Sequence, residues 1–114
     1  MTTTQEKSTV RYTIECLPED MPVRGNALAS GDDEEDRKAE NAVLAALECN
    51  PWAWCLVRVR AWAGSVYGED YLGCCSYESE EDFKRGGYWE DMQANALSDL
   101  RVRLTLANEA LSNA

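Results

Sequence analysis

The chain contains no histidine. That absence removes the commonest general base, the Ser-His and Cys-His nucleophile pairs, and most zinc hydrolase sites. No glycine-rich phosphate loop is present, since Gly86-Gly87 lacks both the flanking pattern and the Lys-Ser/Thr partner. Nor is there a run of about 18 consecutive apolar residues, the length a membrane span requires. The polar start "MTTTQEKST" has no apolar stretch of signal-peptide length. A soluble, cytoplasmic protein is therefore expected. The five cysteines (Cys16, Cys49, Cys55, Cys74, Cys75) are odd in number and contain no C-x-x-C pair. Their spacings match none of the usual zinc arrangements, and adjacent Cys74 and Cys75 would point to opposite faces of a strand. They read as free thiols acting as small hydrophobes in a reducing compartment. No metal, no cofactor and no enzymatic activity is expected.

What the chain does have is negative charge. Its 114 residues are 45% hydrophobic, with four tryptophans and five tyrosines, enough for one modest core. Aspartate and glutamate outnumber lysine and arginine by 21 to 11, a formal net charge of −10. Such a chain repels nucleic acid, whose phosphates dominate the affinity of its binders, and attracts basic protein partners.

Residues 9–17, "TVRYTIECL", alternate as a half-buried strand, with Val10, Tyr12, Ile14 and Cys16 on one face. Pro18 and Pro22 then open a long loop. A helix is expected from about Asp33 to Cys49, with Ala39, Ala42, Val43, Ala46 and Leu47 as its apolar stripe and Pro51 beyond its end. "AWCLVRVRAWAG" is the clearest strand, with Cys55, Val57, Val59 and Ala61 on one face and Trp54, Leu56, Arg58, Arg60 and Trp62 on the other. After a Gly64-Ser65 turn, "VYGEDYLGCCSY" returns as its hairpin partner, carrying Tyr71, Gly73, Cys75 and Tyr77 on a common face. Within it Gly68-Glu69-Asp70 fits a bulge or a wider turn.

Ser79 is a good N-cap for a short helix, "EEDFKR", which Gly86-Gly87 ends. A long helix from Tyr88 to about Leu111 follows, with Trp89, Met92, Ala96, Leu100, Leu104, Ala107 and Leu111 on one face. Leu100, Leu104 and Leu111 should anchor it to the sheet. Residues 99–107, "DLRVRLTLA", also alternate as a strand would, but no Gly or Pro separates them from the helical pattern before them. As a helix, the segment leaves Val102 and Leu106 off the main stripe, and a homodimer through that pair is expected. No internal repeat is present. The class is α+β: a small antiparallel sheet of about three strands packed with two to three helices, the last one long. Residues 9–114 should form a single domain behind a flexible tail of residues 1–8.

Arg58 and Arg60 beside Trp54 and Trp62 could stack on single-stranded nucleic acid, or could be an outer sheet face where guanidinium groups cover rings. The overall charge favours the second reading. The carboxylates are more telling. Residues 32–50 carry a net charge of −5 and residues 78–91 a net of −4. Helix starts favour acids through the dipole, yet five in unbroken sequence exceed that need because neighbours repel. Asp32, Asp33, Glu34, Glu35, Asp36 and Glu40 form one candidate partner-binding patch. Glu78, Glu80, Glu81 and Asp82 form a second. DNA carries one charge per about 1.7 Å of axis, and helical residues rise about 1.5 Å each, so an acidic helix start offers comparable charge density. The run should serve binding and matter little for folding.

The stretch "DYLGCCSYESEEDFKRGGYWEDMQANALSDL" resembles the small acidic accessory proteins of bacteriophages, prophages and plasmids. The whole short, acidic chain resembles the anti-CRISPR and anti-restriction inhibitors among them. Those inhibitors share no common signature, so no functional residue is carried over. The resemblance implies a stoichiometric inhibitor in a bacterial host cytoplasm, bound to a CRISPR effector complex or another basic nucleic-acid-binding protein and blocking target DNA recognition. The first rival is an interaction or assembly module that docks through an apolar surface; the second is a small hydrolase or modifying enzyme using Cys or carboxylate chemistry.

Overall fold

The computed structural model describes residues 9–114. The expected flexible tail, residues 1–8, lies outside the described residues. Strand β1 covers Val10–Leu17, helix α1 Asp33–Leu47, β2 Cys55–Ala63, β3 Val66–Cys75, α2 Glu80–Arg85 and α3 Tyr88–Ser112. One 3₁₀ turn, Pro51–Ala53, which the sequence pattern did not indicate, links α1 to β2. The strands form one antiparallel sheet in the order β1-β2-β3. The expected α+β class and the long C-terminal helix are both present, and residues 99–107 belong to that helix. By its contacts the chain divides into two compact units.

The first unit holds residues 9–15, 58–71 and 89–114. Its core is Val59 and Ala61 from β2 with Met92, Ala96 and Leu100 from α3. Gly64, at φ +63°, opens the two-residue turn between β2 and β3. Gly68 is not part of a turn. It lies inside β3, where a Cβ would fall against the backbone of Ala96 and Leu100, so its missing side chain is what admits α3. From residue 101 onward α3 buries nothing. Leu104 is 41% exposed and Leu111 76%, so of the three expected anchors only Leu100 is one. Leu104, Ala107 and Leu111 keep the phase of the buried stripe, but all three are exposed.

The second unit holds residues 16–57 and 72–88. Phe83 is fully buried between Tyr77, edge-on with ring centroids 5.0 Å apart, and Trp52 at 5.9 Å. Val23, Ala53, Val57, Cys55 and Cys75 are buried with it. Trp54 does not join the outer face of β2 as expected. It precedes the strand, is buried, and its Nε1 donates to the Met21 carbonyl at 2.7 Å. Helix α1 is shallowly packed. Ala39, Val43 and Leu47 are half-buried, whereas Ala42 and Ala46 of the expected stripe are exposed. Pro51 sits at the start of the 3₁₀ turn, and Asn50 before it is extended at φ −141°, ψ 104°. At the end of β3, Cys74 adopts φ +53°, breaking the strict alternation: Tyr71 and Gly73 are exposed while Cys75 is buried.

Candidate partner-binding surface

The acidic run divides by what each carboxylate touches. Asp32 is the N-cap of α1: it is extended, and its Oδ1 accepts from the backbone N–H groups of Glu34 at 3.0 Å and Glu35 at 3.2 Å. Asp36 Oδ1 accepts from the Ser30 N–H at 3.0 Å and from the Ser30 hydroxyl at 2.7 Å, while Ser30 Oγ accepts from the Asp32 N–H. Those two Ser30 donors hold the Asp36 carboxyl below its ordinary pKa. Glu40 is only 7% exposed. Its Oε2 accepts from the Gly25 N–H at 2.8 Å and its Oε1 from Arg24 at 3.1 Å. The Gly25 N–H first, and Arg24 second, keep its pKa low. Arg24 also donates to Asn41. These three acids organise the start of α1 and fasten the preceding loop, which corrects the expectation that the run matters little for folding. Glu40 in particular is withdrawn from the surface.

Asp33, Glu34 and Glu35 are different. They are exposed in the first turn of α1, and among the described residues their side chains have no hydrogen bond or ion pair.

The second patch divides the same way. Asp82 accepts from the Glu78 N–H at 3.0 Å and lies 3.6 Å from Arg85, and Glu80 pairs with Lys84 at 3.0 Å. Ser79 caps α2 by accepting from the Asp82 N–H. The carboxylates of Glu78 and Glu81 have no partner among the described residues.

Both patches belong to the second unit, and Asn50 fastens part of that unit together. Its Nδ2 donates to the carbonyls of Tyr77 and Glu78, both at 3.1 Å, and the Tyr77 N–H donates to the Trp52 carbonyl at 2.7 Å. A cleft of about 270 Å³ is lined by Ala42, Val43 and Ala46 of α1 and by Glu78 and Asp82. The two patches are thus neighbours along α1 rather than one surface, since Ala42 is nine helical steps from Asp33, about 14 Å. Three further acids of this unit lie outside the two candidate patches: the adjacent pair Glu19 and Asp20, and Glu48. Glu19 accepts from the N–H groups of Cys74 at 2.5 Å and Met21 at 3.1 Å, which hold its carboxyl below the usual range. Thirteen carboxylates against five basic residues give the second unit a net charge of −8; the first unit's segments, residues 1–8 included, carry the remaining −2.

The thiols offer little chemistry. Burial pushes Cys75 up to about 11 and raises Cys55 further, while desolvation and the Glu19 carboxylate raise Cys74. Raised thiols are poor nucleophiles at neutral pH. Among the described residues, no three of the Cys, Asp and Glu side chains are placed to share a metal ion. Among those residues, too, no helix is long and apolar enough to cross a membrane.

In the first unit, Arg60 lies 4.1 Å above the Tyr67 ring and pairs with Glu69 at 2.9 Å, and Arg11 lies 5.1 Å above Trp62. Arg58 pairs with Glu15 at 2.6 Å. The aromatic platform is occupied by the chain's own guanidinium groups. Neither a scan against protein-family models nor searches of curated proteins and of solved structures found a significant match to the chain.

Proposed function

We propose that this chain is a stoichiometric inhibitor of the anti-CRISPR or anti-restriction kind, which presents carboxylates to a basic nucleic-acid-binding surface of a bacterial defence complex. The observation that carries this reading is the first turn of α1, where Asp33, Glu34 and Glu35 stand exposed and unpartnered among the described residues on a unit of net charge −8. Three internal anchors, Asp32, Asp36 and Glu40, hold that turn in place. The backbone that carries the three carboxylates is thus preorganised, so binding has only their side chains to order, and their rise along the helix axis is comparable to phosphate charge spacing. Glu78 and Glu81 supply a second set of contacts from the same unit.

The test is competition. A purified CRISPR effector complex, loaded with guide RNA, is offered labelled target DNA with and without this chain at increasing salt. Inhibition that weakens steeply between about 50 and 200 mM salt supports charge mimicry. Inhibition indifferent to salt points instead to the apolar flank of α3, where Val102 and Leu106 are more than half exposed. That second reading makes the chain an assembly or docking module.

A further inference from the structure

The two edges of the sheet are treated differently. Beside β3, the Glu69 N–H donates to Asp99 of α3 at 2.9 Å, so a helix side chain takes up part of that edge. Among the described residues, nothing comparable protects β1. It neighbours β2 alone there, and no backbone hydrogen bond outside the sheet reaches residues 10–15. The strand runs eight residues with no Gly, Pro or positive φ to interrupt it. Natural edges are usually blunted by Pro, bulges, short length, cover or charged side chains, and of these β1 carries only the exposed charges of Arg11 and Glu15.

We propose that the open edge of β1 pairs with the same edge of a second copy of this chain, antiparallel about Thr13, to make a six-stranded sheet across a two-fold axis. Charge complementarity selects this occupant. About Thr13, Arg11 falls opposite Glu15 of the second copy, and Glu15 opposite its Arg11. Tyr12 falls opposite Ile14, apolar against apolar, and Thr13 meets its own copy. A two-fold interface needs this self-complementarity, with residue i meeting j and j meeting i. Parallel pairing would set Arg11 against Arg11. A two-residue slip leaves Arg11 opposite Thr13 or Leu17, and a one-residue slip turns the polar face inward.

The side chains are poised for the antiparallel register. Glu15 gives Oε1 to Arg58 and has 44% of its side chain exposed, with Oε2 uncommitted among the described residues. Arg11 is exposed and lies over Trp62, whose Nε1 donates to Thr13 Oγ1 at 2.9 Å. Pairing would extend the Arg58–Glu15 contact to Arg11 of the second copy and so to its Trp62. This inference stands apart from the acidic surface of the other unit.

Sedimentation equilibrium of the full chain up to high micromolar concentration tests it. A reversible dimer is expected, weakened about ten-fold or more by Arg11→Glu, which sets acid against acid at two symmetric positions. The exchange Arg11→Glu with Glu15→Arg should recover association. Because Glu15→Arg also sets a second guanidinium beside Arg58, circular dichroism checks the fold of the exchanged protein, and Thr13→Cys supplies an independent readout. Mild oxidation should cross-link Thr13→Cys across the two-fold axis well beyond the wild-type chain. A wild-type monomer at high micromolar concentration overturns the proposal. So does a dimer that survives Arg11→Glu without a Thr13→Cys cross-link, or one abolished by Val102→Glu with Leu106→Glu, which would assign the contact to α3.

Discussion

Replacing Gly68 by alanine separates two meanings of a glycine in a strand. Its φ is not positive, so alanine meets no backbone penalty there. Were Gly68 only a loosened strand position, alanine would stabilise the protein by about 0.5–1 kcal/mol through lost unfolded-state entropy. The structure demands the opposite sign. The new methyl would fall against Leu100 N and Ala96 O, the two ends of one helical hydrogen bond, and 2.7 Å from Leu100 Cα. Ordinary carbon contacts lie at about 3.5–4.0 Å, so α3 must retreat by about 1 Å. All three obstacles are backbone atoms, so no side chain can swing away. The retreat lifts Ala96 and Leu100, two of the unit's buried residues. Overpacking costs about 1–3 kcal/mol, and a backbone obstacle belongs at the upper end. After the strand-propensity gain, a net loss of about 2 kcal/mol remains, or about 8 °C in Tm for a chain of this size. Thermal unfolding followed by circular dichroism in the helical band measures it. Gly64→Ala is the control, where the space is open and only the positive φ is strained, at about 1 kcal/mol. A Gly68→Ala protein as stable as the wild type, or more so, would refute the close-approach reasoning.

The acidic run should divide by mutation as it does by contact. Asp33→Asn, Glu34→Gln and Glu35→Gln together should leave Tm unchanged or slightly raised while abolishing inhibition in the competition assay, whereas Asp32→Ala should cost about 1 kcal/mol as a lost N-cap. Glu19, Asp36 and Glu40 all have folded-state pKa values below their ordinary ones. The stability they add is therefore present above the ordinary carboxylate pKa and lost as pH falls from about 4 downward. Urea midpoints should be level between about pH 6 and about pH 5 and decline between about pH 4 and about pH 3, with a shallower decline in Asp36→Asn and Glu40→Gln. Among the thiols, exposed Cys49 and Cys74 should react with a disulfide reagent first, and buried Cys55 and Cys75 only on unfolding. Mass mapping of the labelled peptides gives the order. Val102→Glu with Leu106→Glu should retain the helical spectrum, because both side chains are exposed; loss of the fold would place them in a core.

By itself the sequence determined the local elements. Asp32 ahead of an alanine-rich run starts α1, Ser79 caps α2, and alternation along "CLVRVRA" marks the buried and open faces of β2. These follow from short-range physics: capping, backbone preference and periodicity all act within a few residues. The charge clusters were equally plain, since charge is a property of composition. Tertiary structure alone decided what each residue does with its neighbours. Leu104 and Leu111 share the phase of Leu100, but periodicity tells which residues share a face and not whether anything lies under it. Five consecutive carboxylates look alike in the sequence. Ser30 reaches forward to claim Asp36, and Arg24 with Gly25 claim Glu40 across 15 residues or more, so among the described residues the exposed and unpaired set of that run shrinks to Asp33, Glu34 and Glu35. Gly68 is the same lesson in reverse. A glycine in a strand reads as a defect until a helix backbone about 30 residues away is seen to need its empty side, because close packing is a relation between segments that no single segment records.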